Sequence, residues 1–339
     1  MNPQQLLQRL ISRQDLSRDV ARRLFEDIMA GGVDAAVMAA IVAALACKGE
    51  SVDELVGAAE AMRARAETIH ISPGVEAIDT CSAGGDGRPT FNISTAVAIV
   101  AAAAGATVAK HGNRSNARPS GSVEGLCALG VNVDARPEVV ETCLREIRIG
   151  FLHAQRLHPA MKQAAPVRLA LGVRTIFNLL GPLTNPASVK RQLLGVSRPE
   201  LVEKMARSLA ALGAKRVMVV HGLAGLCDLS LAGPSLIARL DGGEVAIEEV
   251  ECGVAGVAPA PVEALYVDSP TASAATIERV LRGERGAPRD IVILNAAAAL
   301  WVAGIASDWL DGARRAAEAL DRGKALATLT RWREISSNP

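Results

Sequence analysis

The run Lys110-His111-Gly112-Asn113-Arg114-Ser115 crowds two cations, an imidazole, an amide and a hydroxyl behind the apolar stretch Ala101 to Ala109. A strand ending in such residues lies at the carboxyl edge of a sheet, where α/β proteins bind ligands. Forked and compact cations beside hydroxyls suit an anionic, oxygen-rich ligand, most simply a phosphate. Three other stretches complete the set. Asp79-Thr80-Cys81-Ser82-Ala83-Gly84-Gly85-Asp86-Gly87 follows an apolar run, and its glycines would let backbone N–H groups approach a diphosphate. Its spacings fit neither a P-loop nor a dinucleotide fingerprint. Thr90-Phe91-Asn92-Ile93-Ser94-Thr95 opens an alanine-rich helix expected over Ala96 to Gly105. Such residues serve as caps, and a helix start also receives phosphates. The segment from His158 through Arg168 carries an arginine able to hold a carboxylate in two-pronged fashion. It runs on to Arg174 through Pro186, read as a helix end and turn.

The elements that must position these residues follow from periodicity. Residues 1 to about 67 read as about four helices, broken at Gly31-Gly32 and Gly49, with a capping box at Ser51. The helix Asp34 to Lys48 is apolar nearly all round, so a second domain or subunit is expected to cover it. From Val75, strand-length runs alternate with helical ones: Val75–Thr80, Ala106–Ala109, Gly150–His153, Gln192–Val196 and Arg216–His221. That rhythm predicts a mostly parallel sheet covered on both faces. A hairpin turn is expected at Asp241-Gly242-Gly243, and a closing helix pair from about Pro288 to Arg333.

Composition narrows the classes. The 339 residues are half apolar and carry a formal net charge of +1, so no polyanion-binding surface is implied. Aromatic residues make up 2%, too few for base-stacking platforms. Six cysteines form no Cys-x-x-Cys pair and no secretory signal precedes them, so reduced thiols in a cytoplasmic protein are expected. Five histidines lack zinc-ligand spacing, and no run reads as a membrane span.

Taken in order, these stretches resemble the anthranilate phosphoribosyltransferase family. The likeness rests on Gly84 to Gly87, Asn92 to Thr95, Lys110 to Ser115 with Ser120-Gly121-Ser122, Val173 to Pro186, and Asp290 to Asn295. It runs from about residue 5 to 325. It implies an α/β fold of the nucleoside phosphorylase and phosphoribosyltransferase type. A small helical domain over residues 1–70, joined by helices from about 160–188, would meet a larger α/β domain over 71–339 that binds phosphoribosyl diphosphate. It implies a homodimer through the helical domain, and transfer of phosphoribosyl from 5-phosphoribosyl 1-diphosphate to anthranilate with Mg²⁺, a step toward tryptophan. The phosphoribosyl diphosphate would meet Ser82, Gly85, Asp86, Thr90, Asn92, Ile93, Ser94, Thr95, Lys110, His111, Gly112, Asn113, Arg114, Ser115, Arg118 and Ser122. The acceptor would meet Ser82, His111, Asn113, Arg168 and Pro182. Lys110 and Arg168 are the residues on which catalysis would depend, and Ser94, Asp228 and Cys227 stand at the metal positions.

Three stretches depart from the family pattern. Ser82-Ala83 replaces Gly-Thr, Asn116-Ala117-Arg118-Pro119 replaces a serine-rich loop, and Cys227-Asp228 replaces an acidic pair. Mg²⁺ avoids thiols, so a second Mg²⁺ is expected to bind weakly here. The alternatives are a paralogue with another aromatic or nitrogenous acceptor, a pyrimidine nucleoside phosphorylase-like enzyme and a nucleic-acid-binding protein. The helix-start run and Arg168 speak against the second, and the net charge against the third. No carboxylate–histidine pair is evident in the sequence; a neutral aromatic amine needs no strong base.

Overall fold

The computed structural model describes residues 2–114 and 120–338; Ser115, Asn116, Ala117, Arg118 and Pro119 lie outside the described residues. The chain opens with helices α1 (Pro3–Ile11), α2 (Arg18–Met29), α3 (Ala35–Lys48) and α4 (Val52–Arg63). Their starts follow local chemistry. Asp34 Oδ1 accepts from the Ala36 and Val37 amides, and Ser51 and Glu54 form the expected capping box. Ser17 stands at the start of α2 without a side-chain capping bond.

The α/β part comprises β1 (Ala77–Ser82), α5 (Ile93–Ala103), β2 (Thr107–Gly112), α6 (Ser122–Ala128), α7 (Pro137–Ile147), β3 (Ile149–His153), α8 (Ala154–Leu157), α9 (Ala165–Leu171), α10 (Ile176–Leu183), β4 (Arg191–Gly195), α11 (Glu200–Ala211), β5 (Arg216–Gly222), β6 (Ser235–Asp241) and β7 (Glu244–Val250). Helices α12 (Pro270–Leu281), α13 (Ala287–Ala303), α14 (Trp309–Asp321) and α15 (Lys324–Ser336) follow. The sheet order is β3-β2-β1-β4-β5-β6-β7, with β1 to β5 parallel and β6 and β7 an antiparallel hairpin. The mostly parallel sheet is therefore as expected. From β1 the chain builds outward to β2 and β3, then crosses to β4 on the other side. The strand order reverses at β1, and the crevice beyond its carboxyl end is where such sheets bind ligands.

Two large cores sandwich the sheet, and a smaller cluster of Ala77, Ala109, Val140, Leu144 and Leu152 packs α7 against β1 to β3. On one face Ile78, Val108, Phe151 and Leu193 pack with α5 and α13. On the other, Leu194, Val217 and Val219 share a continuous core with α2, α3, α4 and α11. Helices α9 and α10 lie against the N-terminal bundle and supply Val167, Ile176, Phe177 and Leu180 to that core. The apolar α3 buries Met38, Ile41, Val42 and Leu45 and is touched by α1, α9 and α10. Ala36, Ala46 and Cys47 remain exposed on it.

Several boundaries differ from expectation. β1 and β2 begin later and extend to Ser82 and Gly112, so Lys110, His111 and Gly112 belong to the strand itself. The reason is register: Lys110, His111 and Gly112 pair with Phe151, Leu152 and His153 of β3, and ladder bonds outweigh side-chain polarity. Helix α5 starts at Ile93, with Asn92 as its cap residue, so Ser94 and Thr95 sit in its first turn. Ile176–Leu183 within the stretch Arg174 to Pro186 is a helix of its own rather than a helix end; Asn178 Oδ1 accepts from the Thr175 amide at its start. The closing pair is three helices, because left-handed Gly304 and Gly323 separate them.

Candidate active site

The ends of β1, β2 and β4 build the floor of the crevice. Lys110 is fully buried, and its Nζ donates to the Thr80 carbonyl at 2.6 Å and to Ser94 Oγ at 3.3 Å. Burial pushes the ammonium below its ordinary pKa, while Asp79, Cys81 and Asp228 oppose that shift. Asp79 is buried as well. Its Oδ1 accepts from the His111 amide at 3.1 Å and its Oδ2 from Asn185 Nδ2 at 2.8 Å. Desolvation raises this carboxyl to about 6 against the pull of Lys110. A charged residue inside an otherwise apolar strand was the one signal that could have marked Asp79. Asn185 and Gln192, which bind across to β1, had none.

The imidazole of His111 leans toward α10. Its Nδ1 lies 3.0 Å from the Gly181 carbonyl, so Nδ1 carries the proton and Nε2 the lone pair. Nε2 is buried and has no partner among the described residues. Burial lowers His111 to about 3, and the neighbouring His158, 5.2 Å away between ring centroids, adds to the effect. Pro182 is buried in the last turn of α10, and its carbonyl accepts from Gln192 Nε2 at 2.9 Å. Arg168, half-buried on α9, stacks on Phe177 with Cζ 5.5 Å from the ring centroid. Its guanidinium has no hydrogen bond or ion pair among the described residues, and desolvation lowers its pKa.

The glycine turn lies above β1. Ser82 closes the strand half-buried, and its Cβ position faces Gly195 of β4. Gly85 has φ +85°, a conformation that favours glycine, and is exposed. Asp86 Oδ2 accepts from the Cys227 amide at 3.0 Å, which ties this turn to the segment after β5. Gly112 has no room for a side chain: a Cβ there would lie 2.7 Å from the Phe151 ring and 3.0 Å from Ser122 Cβ. Asn113 is exposed and its Oδ1 accepts from the Arg114 amide at 2.8 Å. Arg114 pairs with Glu124 at 3.4 Å.

Not every expected residue points to the crevice. The Asn92 side chain is turned inward: Nδ2 donates to the Ser120 carbonyl, and Oδ1 accepts from the Ser120 and Ser273 hydroxyls. It positions α5 and the segment leading to α6. Ile93 packs in the core, and the Thr90 and Thr95 hydroxyls are buried without partners among the described residues. A carboxylate–histidine pair that the sequence did not reveal joins Asp134 to His153 Nδ1 at 3.0 Å, at the end of the outer strand β3.

Ser94 and Asp228 line one small cavity with Thr80, Cys81 and Asn295. Among the described residues no group of three or more histidine, cysteine or carboxylate side chains could hold a metal ion. One hydroxyl and one carboxylate nevertheless fit a hard divalent cation whose other ligands are phosphate oxygens and water. The Cys227 thiol, wholly buried, does not suit such an ion.

A helical bundle set against the switch point of a mostly parallel sheet, with a buried lysine and a hydroxyl at its floor, is here the architecture of a glycosyl-transferring enzyme, as the family matches show. Residues 74–326 match the glycosyl transferase family, a/b domain, and residues 4–66 the helical bundle domain of the same family. The anthranilate phosphoribosyltransferase of Roseiflexus castenholzii is 46% identical over 330 residues, 97% of this chain and 96% of that protein. That of Chromobacterium violaceum is 48% identical over 329 residues, with the same coverage. The crystal structure of the Thermus thermophilus enzyme superposes with a TM-score of 0.92 at 38% identity, covering 98% of this chain and 99% of that one. The Saccharomyces cerevisiae enzyme in complex with PRPP and Mg shares the fold, with a TM-score of 0.89 at 24% identity and coverage of 99% and 98%. The chain belongs to the anthranilate phosphoribosyltransferase family.

Proposed function

We propose that this chain transfers the phosphoribosyl group of 5-phosphoribosyl 1-diphosphate to anthranilate, releasing diphosphate. The observation that carries this reading is the buried Lys110 held on Thr80 and Ser94 at the switch point, in a chain 46% identical to such an enzyme over 97% of its length. The donor's anionic groups fall to the backbone of the Gly84–Gly85 turn, Asp86, the Thr90 to Thr95 segment with its helix start, Lys110 to Ser115, Arg118 and Ser122. Of these, Thr90, Asn92, Ile93 and Thr95 contribute through backbone groups or by shaping the start of α5.

The acceptor falls to Ser82, His111, Asn113, Arg168 and Pro182. Arg168 has an unpaired fork on an aromatic face, suited to a carboxylate on a flat ring. His111, with its pKa lowered to about 3, is a poor general base at neutral pH. Its bare Nε2 is a hydrogen-bond acceptor that orients the amine. Catalysis then lies in stabilising charge on the departing diphosphate and in placing the amine. Mg²⁺, when bound, would supply positive charge that offsets part of the charge on the leaving group. Ser94 and Asp228 would hold it, and Cys227 would not.

The protein works as a homodimer through the helical domain, where the exposed alanine face of α3 is available. It acts in the cytoplasm; no helix among the described residues is long and apolar enough to cross a membrane. The domains divide near residue 70, with 160–188 counted with the small one. The test is incubation with 5-phosphoribosyl 1-diphosphate, Mg²⁺ and anthranilate while anthranilate fluorescence is followed. Loss of fluorescence with matching diphosphate release is expected. Absence of both, with diphosphate release on another aromatic acid, would overturn the choice of acceptor.

A further inference from the structure

Arg174 has no part in the reading above, yet it is placed between the two halves of the site. It stands in the short link from α9 to α10, and its Nη1 donates to the Gly84 carbonyl at 2.7 Å. A Cβ on Gly85 would lie 1.6 Å from Nη1 and 2.7 Å from Cζ, so the guanidinium rests on the bare Cα of that glycine. The second nitrogen, Nη2, is buried and has no partner among the described residues. Desolvation lowers the pKa of Arg174 and the charge of Arg198 adds to that, while Cys227, Asp86 and Glu50 pull the other way.

The other end of this link is the acceptor side. Two residues after Arg174, α10 begins; its Gly181 carbonyl holds His111, and its Phe177 carries Arg168. A change in how α9 and α10 sit around a bound acid would therefore be passed to the root of Arg174. Its tip is fixed to the turn that would receive the diphosphate. An unmet donor on a buried guanidinium is an unfavourable arrangement that a protein retains where something else completes it.

We propose that Arg174 is a positioning residue that couples the two substrate subsites: it holds the Gly84–Gly85 turn ready for the diphosphate and links that turn to the helices that seat the acceptor. This rests on the function proposed above. A lysine could reach the Gly84 carbonyl but would lack the flat fork that lies on Gly85 and offers a second N–H.

The test uses the full chain with R174K and R174Q, thermal unfolding serving as the check on folding. Calorimetry measures the affinity for Mg²⁺-diphosphate alone, and for anthranilate with and without saturating Mg²⁺-diphosphate. Both variants are expected to bind diphosphate ~10-fold more weakly, and the effect of diphosphate on anthranilate affinity to vanish, coupling between sites commonly being of this size. KM for the phosphoribosyl donor should rise by a similar factor while kcat changes less. A merely structural role would lower the unfolding temperature and leave the ratio of the two anthranilate affinities intact. Folded variants that keep both the diphosphate affinity and that ratio within twofold overturn the proposal, as does a wild-type chain in which diphosphate leaves anthranilate affinity unchanged. If R174Q does not fold, R174K decides. Should the wild type fail to consume anthranilate while R174K still loses diphosphate binding, the acceptor assignment falls and the donor-side role of Arg174 stands.

Discussion

Lys110 Nζ of β2 and Ser94 Oγ in the first turn of α5 lie 3.3 Å apart, so a buried cation and a helix start share one corner of the crevice. The positive end of the helix and the ammonium reinforce each other there, and both favour an anion. Lys110→Met keeps the length of the side chain and removes the charge. It should lower kcat/KM by about 10²–10³ through loss of leaving-group stabilisation. Steady-state kinetics with the donor varied checks this, and a tenfold or smaller loss in a folded variant would place the charge elsewhere.

Arg168 presents its fork from the Phe177 face without a protein partner among the described residues. A charged hydrogen bond to a carboxylate contributes about 1.5–3 kcal/mol, so Arg168→Ala should raise KM for anthranilate by roughly 10–100-fold. KM for the phosphoribosyl donor should hardly move. Equal rises in both constants would show that Arg168 supports the fold rather than the acceptor.

The histidine pair makes stability depend on acidity in a definite direction. Burial holds His111 at about 3 and His158 at about 4, below their ordinary value of 6.5. The unfolded chain therefore binds more protons than the folded one between about 6.5 and these values. Stability is complete above pH 6.5 and falls as pH drops through that window. Asp79, raised to about 6, acts in the opposite sense: it loses stability as pH rises from its ordinary value toward 6. Urea midpoints measured from pH 7.5 to 4 should decline toward acid, and His111→Asn and His158→Asn should each flatten the decline. A decline of equal slope in both variants would assign it to other groups.

Cys227 is wholly buried next to Asp228, and its amide is bound to Asp86. A carboxylate there would offer a hard oxygen where a thiol now stands. Cys227→Asp should lower the Mg²⁺ concentration needed for half-maximal activity. Saturation at the same Mg²⁺ concentration in both proteins would mean that this position never meets the metal.

The order of the motifs was enough to identify the family, and the alternation of strand-length and helix-length runs was enough to foresee a parallel sheet with a helical domain before it. Both are written locally: periodicity reports which face of an element is buried, and glycines and caps report where it stops. Ser51 with Glu54, and the turn at Gly242-Gly243, were legible for that reason. What lay beyond reach depended on contacts between distant parts of the chain. Only the folded sheet brings the Asp79 carboxylate to the His111 amide and to Asn185, and only the packing of α10 sets the Gly181 carbonyl against His111. The same holds for Asn92, whose residue type suits a phosphate cap but whose amide is taken by Ser120 and Ser273, the latter 181 positions away. Residue type limits which bonds a side chain can make. Which of them it makes is decided by the neighbours that tertiary packing supplies, because a buried polar group takes whatever partner is within reach.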